Sequence, residues 1–232
     1  MGLLAVAEDE IDLVTGTDAN QWRVLDRYVV NEDFVGWNGA VYDGTDVNLE
    51  SWHHRNPATL PGGGISFPFN SADTNEYTTY LVSYQSMDLS GALMIEATIA
   101  IVNDGTTIPV FEAREAPGAS PFVRLFVQST TSEGWSCDDY WWSNGIGYSD
   151  YLAHVVDNTV TLSVPIEPSC WSDMYGHFGT YNEAHMAGFL DAMANAQEIG
   201  LSFGGGSWFA NGVALSSGAA TFQLLSYQIL EA

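Results

Sequence analysis

The chain has 232 residues, of which 46% are hydrophobic and 13% aromatic, so it is long and apolar enough to fold around a core and is not a disordered protein. Its 29 acidic residues stand against five arginines and no lysine, which gives a formal net charge of −24. Such a charge repels nucleic-acid phosphates and anionic lipid headgroups, and no apolar run reaches the roughly 18 residues of a membrane span, so we expect neither nucleic acid nor membrane insertion. The charge has two explanations, a surface kept from self-association or a saline environment in which salt screens the repulsion.

Residues 1–75 are rich in Gly, Asn, Asp and Trp and contain short apolar runs such as Trp22–Val30. This composition predicts short strands and long loops, in an arm or assembly segment that packs on another subunit. Met1–Glu10 carries acids where a secretion signal needs a basic flank and a longer apolar core, so we expect no such signal. Residues 76–232 are predicted to form the main β-sandwich.

From Tyr77 onward the strand pattern is clearer. β-branched and aromatic runs separated by Gly, Asn, Asp and Pro clusters predict strands at Thr78–Tyr84, Leu93–Val102, Phe122–Thr130, Asp139–Ser143, Thr159–Ile166, Ile199–Phe203 and Ala220–Leu230. The expected fold class is therefore all-β and antiparallel. In one of these strands Arg124 shares a face with Phe122 and Phe126, where we expect an ion pair to hold it.

One segment has helical rather than strand periodicity. Within Tyr181–Gln197, apolar side chains recur at helical spacing: Met186, Phe189, Leu190 and Met193. Asn182 is the candidate N-cap of this short helix. We expect the helix to cover an open end of the core with its apolar stripe.

The two cysteines, Cys137 and Cys170, flank the predicted strands Asp139–Ser143 and Thr159–Ile166. If these strands form an antiparallel hairpin, the two cysteines lie almost opposite each other at its open end, which suits a disulfide. The alternative is a pair of buried free thiols.

An aromatic cluster is the best candidate for a binding surface. The candidate glycan-binding residues are Trp135, Trp141, Trp142, Tyr148, Trp171 and Trp208. Trp141 and Trp142 are consecutive in a strand, so they point to opposite faces and at most one of them belongs to the core. An exposed indole beside Asp and Asn suits a sugar ring; burial of both indoles and a subunit interface are the alternatives.

Acidic side chains in loops are weak candidates for a structural calcium site, at Asp104, Asp138 and Asp139. None has EF-hand spacing, and ordinary Asx turns are the alternative. The five histidines are scattered along the sequence, and we expect them to be solvated or hydrogen-bonded rather than to bind a metal.

No catalytic motif is present. A glycosidase needs two carboxyl groups about 5–9 Å apart, and Glu96 is the only acid placed well within a predicted strand, without a partner. The Glu-x-Asp-x-x-Glu pattern of laminarinase-like jelly rolls is absent. We therefore expect a protein that is not an enzyme, with a glycoside hydrolase as an alternative.

The segments PFVRLFVQST, DDYWWSN, TLSVPIEPSCWSDMYGHFG, IGLSFGGGSWFANGVAL and ATFQLLSYQIL follow one another along residues 77–230. Together with the short helix they resemble jelly-roll modules of the galactose-binding and carbohydrate-binding type, which occur in secreted bacterial proteins and in phage tail proteins. The resemblance implies an antiparallel jelly-roll β-sandwich.

These observations lead us to expect a virion structural or host-attachment protein, such as a tail, fibre or capsid-decoration component. Its expected location is the virion or the extracellular space. Its expected partners are other virion subunits or further copies of itself in a homo-oligomer, together with a cell-surface glycan. The alternative is a secreted carbohydrate-binding module that uses exposed tryptophan platforms.

Overall fold

A computed structural model describes residues 10–12, 21–28, 52–114, 116, 118–129, 137–145, 147–206 and 210–231. In these residues the chain forms two antiparallel sheets and two α-helices, so the expected all-β sandwich of jelly-roll type is confirmed. Within the same ranges, no helix has the length and hydropathy needed to cross a membrane.

The smaller sheet has six strands in the described residues: β1 (Glu10–Asp12), β4 (Ala58–Thr59), β5 (Ile65–Pro68), β7 (Ala92–Asn103), β11 (Thr159–Pro165) and β15 (Ala220–Glu231). They lie in the order β11–β7–β15–β5–β4, and β1 also pairs with β15. The centre of the sheet is the antiparallel pair β7 and β15, which runs from Asn103 opposite Ala220 to Ala92 opposite Glu231.

The larger sheet has nine strands in the described residues: β2 (Trp22–Tyr28), β3 (Trp52–Arg55), β6 (Glu76–Met87), β8 (Val110–Ala113), β9 (Phe122–Ser129), β10 (Tyr140–Ser143), β12 (Trp171–Ser172), β13 (Ala196–Gly204) and β14 (Val213–Ser217). Their order is β12–β10–β9–β13–β6–β14–β8, with β2 also pairing with β6 and β3 with β2. All seven strands predicted from residue 77 onward are present, with ends that differ by at most three residues.

The core lies between the two sheets and is built by alternation along the strands. In β9 the side chains of Val123, Leu125 and Val127 are fully buried in this core, as expected for every second residue of a strand. Aromatic rings join the sheets: Phe222 on the smaller sheet packs edge-on against Phe203 on the larger one, with centroids 5.2 Å apart. Burial of these rings is a major stabilising contribution.

The predicted helix is present as α2 (Glu183–Ala194), preceded along the chain by a shorter helix α1 (Leu152–Val155) that the sequence did not predict. Asn182 is the N-cap of α2, as predicted, because its side-chain oxygen accepts from the backbone N–H groups of Ala184 and His185. Phe189 and Met193 are buried, but the side chain of Leu190 is 55% exposed. Leu190 therefore does not belong to the buried stripe.

Three of the strands described before residue 75, β1, β2 and β5, pair with strands that follow it. β2 lies along β6, with Val24 opposite Leu81, and β5 lies along β15. The predicted division of the chain near residue 75 stays a prediction, but these strands share the core with the rest of the sandwich.

Candidate functional site

Trp141 and Trp142 point to opposite faces of the larger sheet. Trp141 is fully buried between the sheets, where its ring packs edge-on against Phe189 at 5.2 Å and its Nε1 donates to the carbonyl oxygen of Asp138 at 2.7 Å. Trp142 lies on the other face, with 5% of its surface exposed. The expectation that at most one of the two belongs to the core is confirmed, and the second is covered rather than exposed.

Three of the predicted sugar platforms are corrected by this packing, the covered Trp142 among them. Trp141 and Trp171 have no exposed surface, and the Nε1 of Trp171 donates to the carbonyl oxygen of Pro165 at 2.8 Å. Neither indole presents a face to a sugar, because burial of its large apolar area in the core is favourable. Trp135 and Trp208 lie outside the described residues, as does the side chain of Tyr148.

The outer face of the larger sheet carries a second aromatic cluster. Around Trp142, the ring of Phe126 lies 5.4 Å away and that of Tyr140, stacked at an interplanar angle of 16°, lies 6.1 Å away. Tyr80 reaches Phe126 from β6, with ring centroids 4.8 Å apart. Met174 and Ala210 pack against this cluster from the adjoining loops.

Beside this cluster, one row of side chains crosses four neighbouring strands. Tyr140 of β10 is opposite Gln128 of β9, Gln128 is opposite Glu198 of β13, and Glu198 is opposite Tyr84 of β6. Because directly opposite residues point to the same face, the four side chains line one strip. Three interstrand steps of about 4.8 Å make the strip roughly 14 Å long. We call these four residues the outer-face row.

The outer-face row combines solvent contact with partial burial. Tyr84 is 46% exposed, and Tyr140, Gln128 and Glu198 are half-buried. Burial raises the pKa of Glu198 from 4.5 to about 7. Desolvation, and then the nearby Glu198 carboxylate, raise the pKa of Tyr84 to about 12. The row therefore offers two tyrosine rings, an amide and a carboxyl group that is part protonated at neutral pH.

Arg124 lies on the same outer face and is held by several contacts. Its Nη1 donates to the carbonyl oxygen of Ser143 at 3.0 Å, and its guanidinium lies 4.4 Å from the centre of the Phe122 ring. Desolvation lowers its pKa, and the charge of Asp150 opposes that shift. Asp150 is thus an acidic neighbour of Arg124, and the predicted ion pair stays a prediction.

The calcium candidates are not brought together. Asp104 follows β7 and accepts a hydrogen bond from Thr221 at 2.6 Å, whereas Asp138 and Asp139 precede β10 in the other sheet. Within the described part of the chain these three acids form no three-ligand group. The three acids therefore do not form one shared site there, and calcium binding at any of them stays a prediction.

A different set of residues gathers its ligand atoms within 4.8 Å of one another: Asp173, His177 and His185. Asp173 and His177 belong to the loop after β12, and His185 lies in the first turn of α2. From the sequence, both histidines were expected to be solvated or hydrogen-bonded rather than to bind a metal. The feature that is not apparent from the sequence is that the loop after β12 and the N-cap of α2 bring His185 next to Asp173.

The predicted disulfide is contradicted by the structure, in which Cys170 is a free cysteine; the side chain of Cys137 lies outside the described residues. The hairpin on which the prediction depended is not formed. Residues 140–143 pair within the larger sheet, with β9 and β12, whereas 159–165 pair with β7 in the smaller sheet.

Comparisons with known proteins give likeness to solved structures only. No family model and no curated protein matches the sequence. The carbohydrate-binding module CtCBM11 is 13% identical over 99% of both chains, with a TM-score of 0.42. The L4b domain of human laminin alpha-2 is 11% identical over 100% of both chains, with a TM-score of 0.46.

A third solved structure comes from work on endo-acting O-glycanases of the human gut microbiota that initiate mucin breakdown. It is 9% identical over 95% of both chains, with a TM-score of 0.43. At this identity and these TM-scores the likeness supports no argument about function.

Proposed function

We propose that this protein is a non-catalytic glycan-binding protein that binds its ligand along the outer-face row. The observation that carries the proposal is the alignment of Tyr140, Gln128, Glu198 and Tyr84 across four rigid strands on a partly exposed face. A binding site needs apolar surface with a few fixed polar groups, and this row has both.

The chemistry of the row suits a neutral or weakly basic sugar chain. A tyrosine ring has an apolar face that packs on the C–H face of a pyranose and a hydroxyl group that keeps contact with water. Gln128 both donates and accepts hydrogen bonds, and Glu198 accepts or donates according to its protonation. An anionic glycan is disfavoured, because the chain carries a net charge of −24.

Within this proposal, the biological setting is the surface of a virion, where the protein serves in a tail, a fibre or the decoration of a capsid and attaches the particle to a host glycan. Its acidic surface, which does not suit contact with nucleic acid or lipid, supports a place on the outside of a particle. Its partners there would be other virion subunits or further copies of itself.

A glycan array on the full chain tests the binding proposal. We expect the wild-type protein to bind a set of neutral glycans, and Tyr84→Ala and Tyr140→Ala each to weaken binding about tenfold or more, since loss of one ring contact costs roughly 1–2 kcal/mol. Tyr181→Ala removes a tyrosine that is 63% exposed outside the row and serves as the matched control. Absence of binding to any glycan, or equal affinity of all four proteins, would overturn the proposal.

The virion setting requires a separate measurement. Light scattering on the purified protein is expected to give a homo-oligomer, since attachment proteins gain avidity from several copies. A monomer that nevertheless binds glycans would favour the secreted carbohydrate-binding module instead.

A further inference from the structure

We propose that Asp173, His177 and His185 form a binding site for a divalent transition-metal ion, with Zn²⁺ as the best-fitting ion. Nδ1 of His177 lies 3.3 Å from Oδ2 of Asp173, and Nε2 of His185 lies 3.4 Å from the same oxygen. One carboxylate oxygen and two imidazole nitrogens, the latter from separate elements, thus lie within 4.8 Å of one another. This site is independent of the outer-face row.

The hydrogen bonds of Asn182 determine which nitrogen of His185 carries a proton. The side-chain Oδ1 of Asn182 accepts from the backbone N–H groups of Ala184 and His185 at 2.9 and 3.0 Å, so this atom is the oxygen and not the amide nitrogen. Nδ1 of His185 lies 2.9 Å from the same Oδ1. Since that oxygen only accepts, Nδ1 of His185 must be the donor.

This assignment leaves Nε2 of a neutral His185 with a lone pair that faces Oδ2 of Asp173. Two acceptors at 3.4 Å repel each other unless a cation lies between them. The cation is either a second proton on His185 or a metal ion. A ligand histidine whose other nitrogen donates to a fixed acceptor is the usual arrangement around a bound metal, because it orients the ring.

Asp173 is prepared for the same role. Its side chain is 1% exposed, and Oδ1 accepts from the backbone N–H groups of Tyr175 and His177 at 2.9 and 2.8 Å. Oδ2 therefore remains directed at the two histidines. A carboxylate this deeply buried is costly unless a cation compensates its charge, and a metal ion would do so with both imidazoles as further ligands.

The ligand set selects the class of metal. A tetrahedral Zn²⁺ with bonds of about 2.0–2.1 Å places its ligand atoms ~3.3 Å apart, which matches the two distances measured from Oδ2 of Asp173. Calcium instead takes six to eight oxygen ligands at about 2.3–2.6 Å, and two imidazoles do not suit it. The site is therefore of the zinc class and not a calcium site.

The surroundings leave one side of the site open. The side chain of His177 is 39% exposed, and the ring of Tyr181 stacks on it with centroids 4.5 Å apart. Three protein ligands and an accessible side leave a fourth position for water or a ligand oxygen. A bound ion would also tie the loop after β12 to the start of α2 and so hold the exposed Tyr175 and Tyr181 in place.

Metal titration of the full-length protein tests this inference. The protein is treated with EDTA, dialysed, and titrated with ZnCl₂ in a calorimeter in the presence of salt and excess Mg²⁺, which occupy non-specific carboxylates. We expect one Zn²⁺ per chain. Substitution of Co²⁺ is expected to give the intense visible absorption of a tetrahedral site.

Two variants and a control identify the ligands. His177→Ala and His185→Ala are each expected to weaken Zn²⁺ binding roughly a hundredfold or more, since loss of even a supporting residue costs 10–100-fold. His54→Ala removes an exposed histidine of β3 and should bind as wild type does. Circular dichroism of the metal-free proteins separates ligand loss from misfolding, and His177→Ala, at an exposed ring, is the variant expected to keep its fold.

Less than one Zn²⁺ per wild-type chain under these conditions would overturn the inference and leave a protonated His185 as the cation. Equal binding by His177→Ala, His185→Ala and wild type would overturn it as well, because the ion would then lie elsewhere. Glycan binding by the outer-face row has a different readout, so failure of one proposal leaves the other intact.

Discussion

Arg55 donates through Nε and Nη2 to both carboxylate oxygens of Asp26, and its Nη1 donates to the carbonyl oxygen of Pro68 at 2.9 Å. Asp26 is 2% exposed and also accepts from Thr78 at 2.8 Å. Since Asp26 and Arg55 lie in the larger sheet and Pro68 in the smaller one, this two-pronged ion pair connects an edge of one sheet to the other.

Removal of this guanidinium is the first test of the fold. We expect Arg55→Ala to lower the free energy of unfolding by roughly 2–4 kcal/mol, because it leaves the buried Asp26 carboxylate with a hydroxyl as partner, and because the partial exposure of Arg55 moderates the cost. Arg55→Lys keeps the positive charge but not the planar guanidinium. Its free energy of unfolding should therefore lie between those of wild type and Arg55→Ala. Urea denaturation measures the difference, and a change within 0.5 kcal/mol of wild type for Arg55→Ala would show the pair to be unimportant.

Glu198 makes stability depend on pH. Its pKa rises from 4.5 to about 7 on folding because of burial, so the folded state holds the proton more tightly than the unfolded state. Stability from this group is present below about pH 4.5 and is lost as pH rises through 7. The loss is on the order of 2–3 kcal/mol, given that part of the side chain is solvated.

Glu198→Gln isolates that contribution. Urea denaturation from pH 4.5 to 8 is expected to show equal stability of variant and wild type at the acid end and a more stable variant at pH 8. Glu167→Gln, which removes an exposed carboxylate, controls for the change in net charge. Parallel pH profiles for wild type and Glu198→Gln would contradict the prediction.

Trp141 is expected to act in stability and not in ligand binding. Its complete burial against Phe189 predicts that Trp141→Ala lowers the free energy of unfolding by about 3–5 kcal/mol, because the truncation leaves a cavity. Trp141→Phe loses the bond to Asp138 and part of the ring but fills more of the space than alanine does, so it should cost less. Glycan affinity of the folded Trp141→Phe protein should equal that of wild type; a selective loss of affinity would return Trp141 to the binding surface.

Asn182 has two roles that one pair of variants separates. Asn182→Ala removes the cap of α2 and is expected to cost about 1 kcal/mol of stability, and, on the proposed metal site, to weaken Zn²⁺ binding about 10–100-fold by freeing the ring of His185. Asn182→Asp keeps an acceptor for both backbone N–H groups and for Nδ1, so it should retain stability and metal affinity. Calorimetric titration of both variants, together with their thermal melts, checks the two effects; an Asn182→Ala protein with unchanged Zn²⁺ affinity would show that the hydrogen bond to Nδ1 plays no part.

Local pattern was sufficient to predict most of the fold. Alternation of apolar residues located seven of the strands between Thr78 and Leu230 but not β8, β12 and β14, and helical spacing with Asn182 as cap located α2. The sequence could not predict which strands pair, because pairing depends on contacts between distant segments. Strands 140–143 and 159–165, which we expected to form a hairpin, lie in different sheets for this reason.

The candidate sites were harder to predict because they depend on register and on loop geometry. The outer-face row joins residues as far apart in sequence as Tyr84 and Glu198, which only the strand register brings side by side. The tryptophans were predicted to bind sugars at the surface, yet Trp141 and Trp171 are buried. Burial of their apolar area contributes more to the stability of the fold than exposure would. The role of His185 was not predictable because its proximity to Asp173 depends on how the loop after β12 leads into α2.

The position of β15 in the smaller sheet has a consequence for how the protein forms. This strand is hydrogen-bonded to β7, β5 and β1, which lie more than a hundred residues earlier in the chain. During synthesis, the smaller sheet therefore cannot close until residues 220–231 have been added to the chain. The apolar faces of the earlier strands stay uncovered until then. Such long-range pairing slows folding to milliseconds or seconds, and the net charge of −24 would help to keep the waiting chain from aggregating.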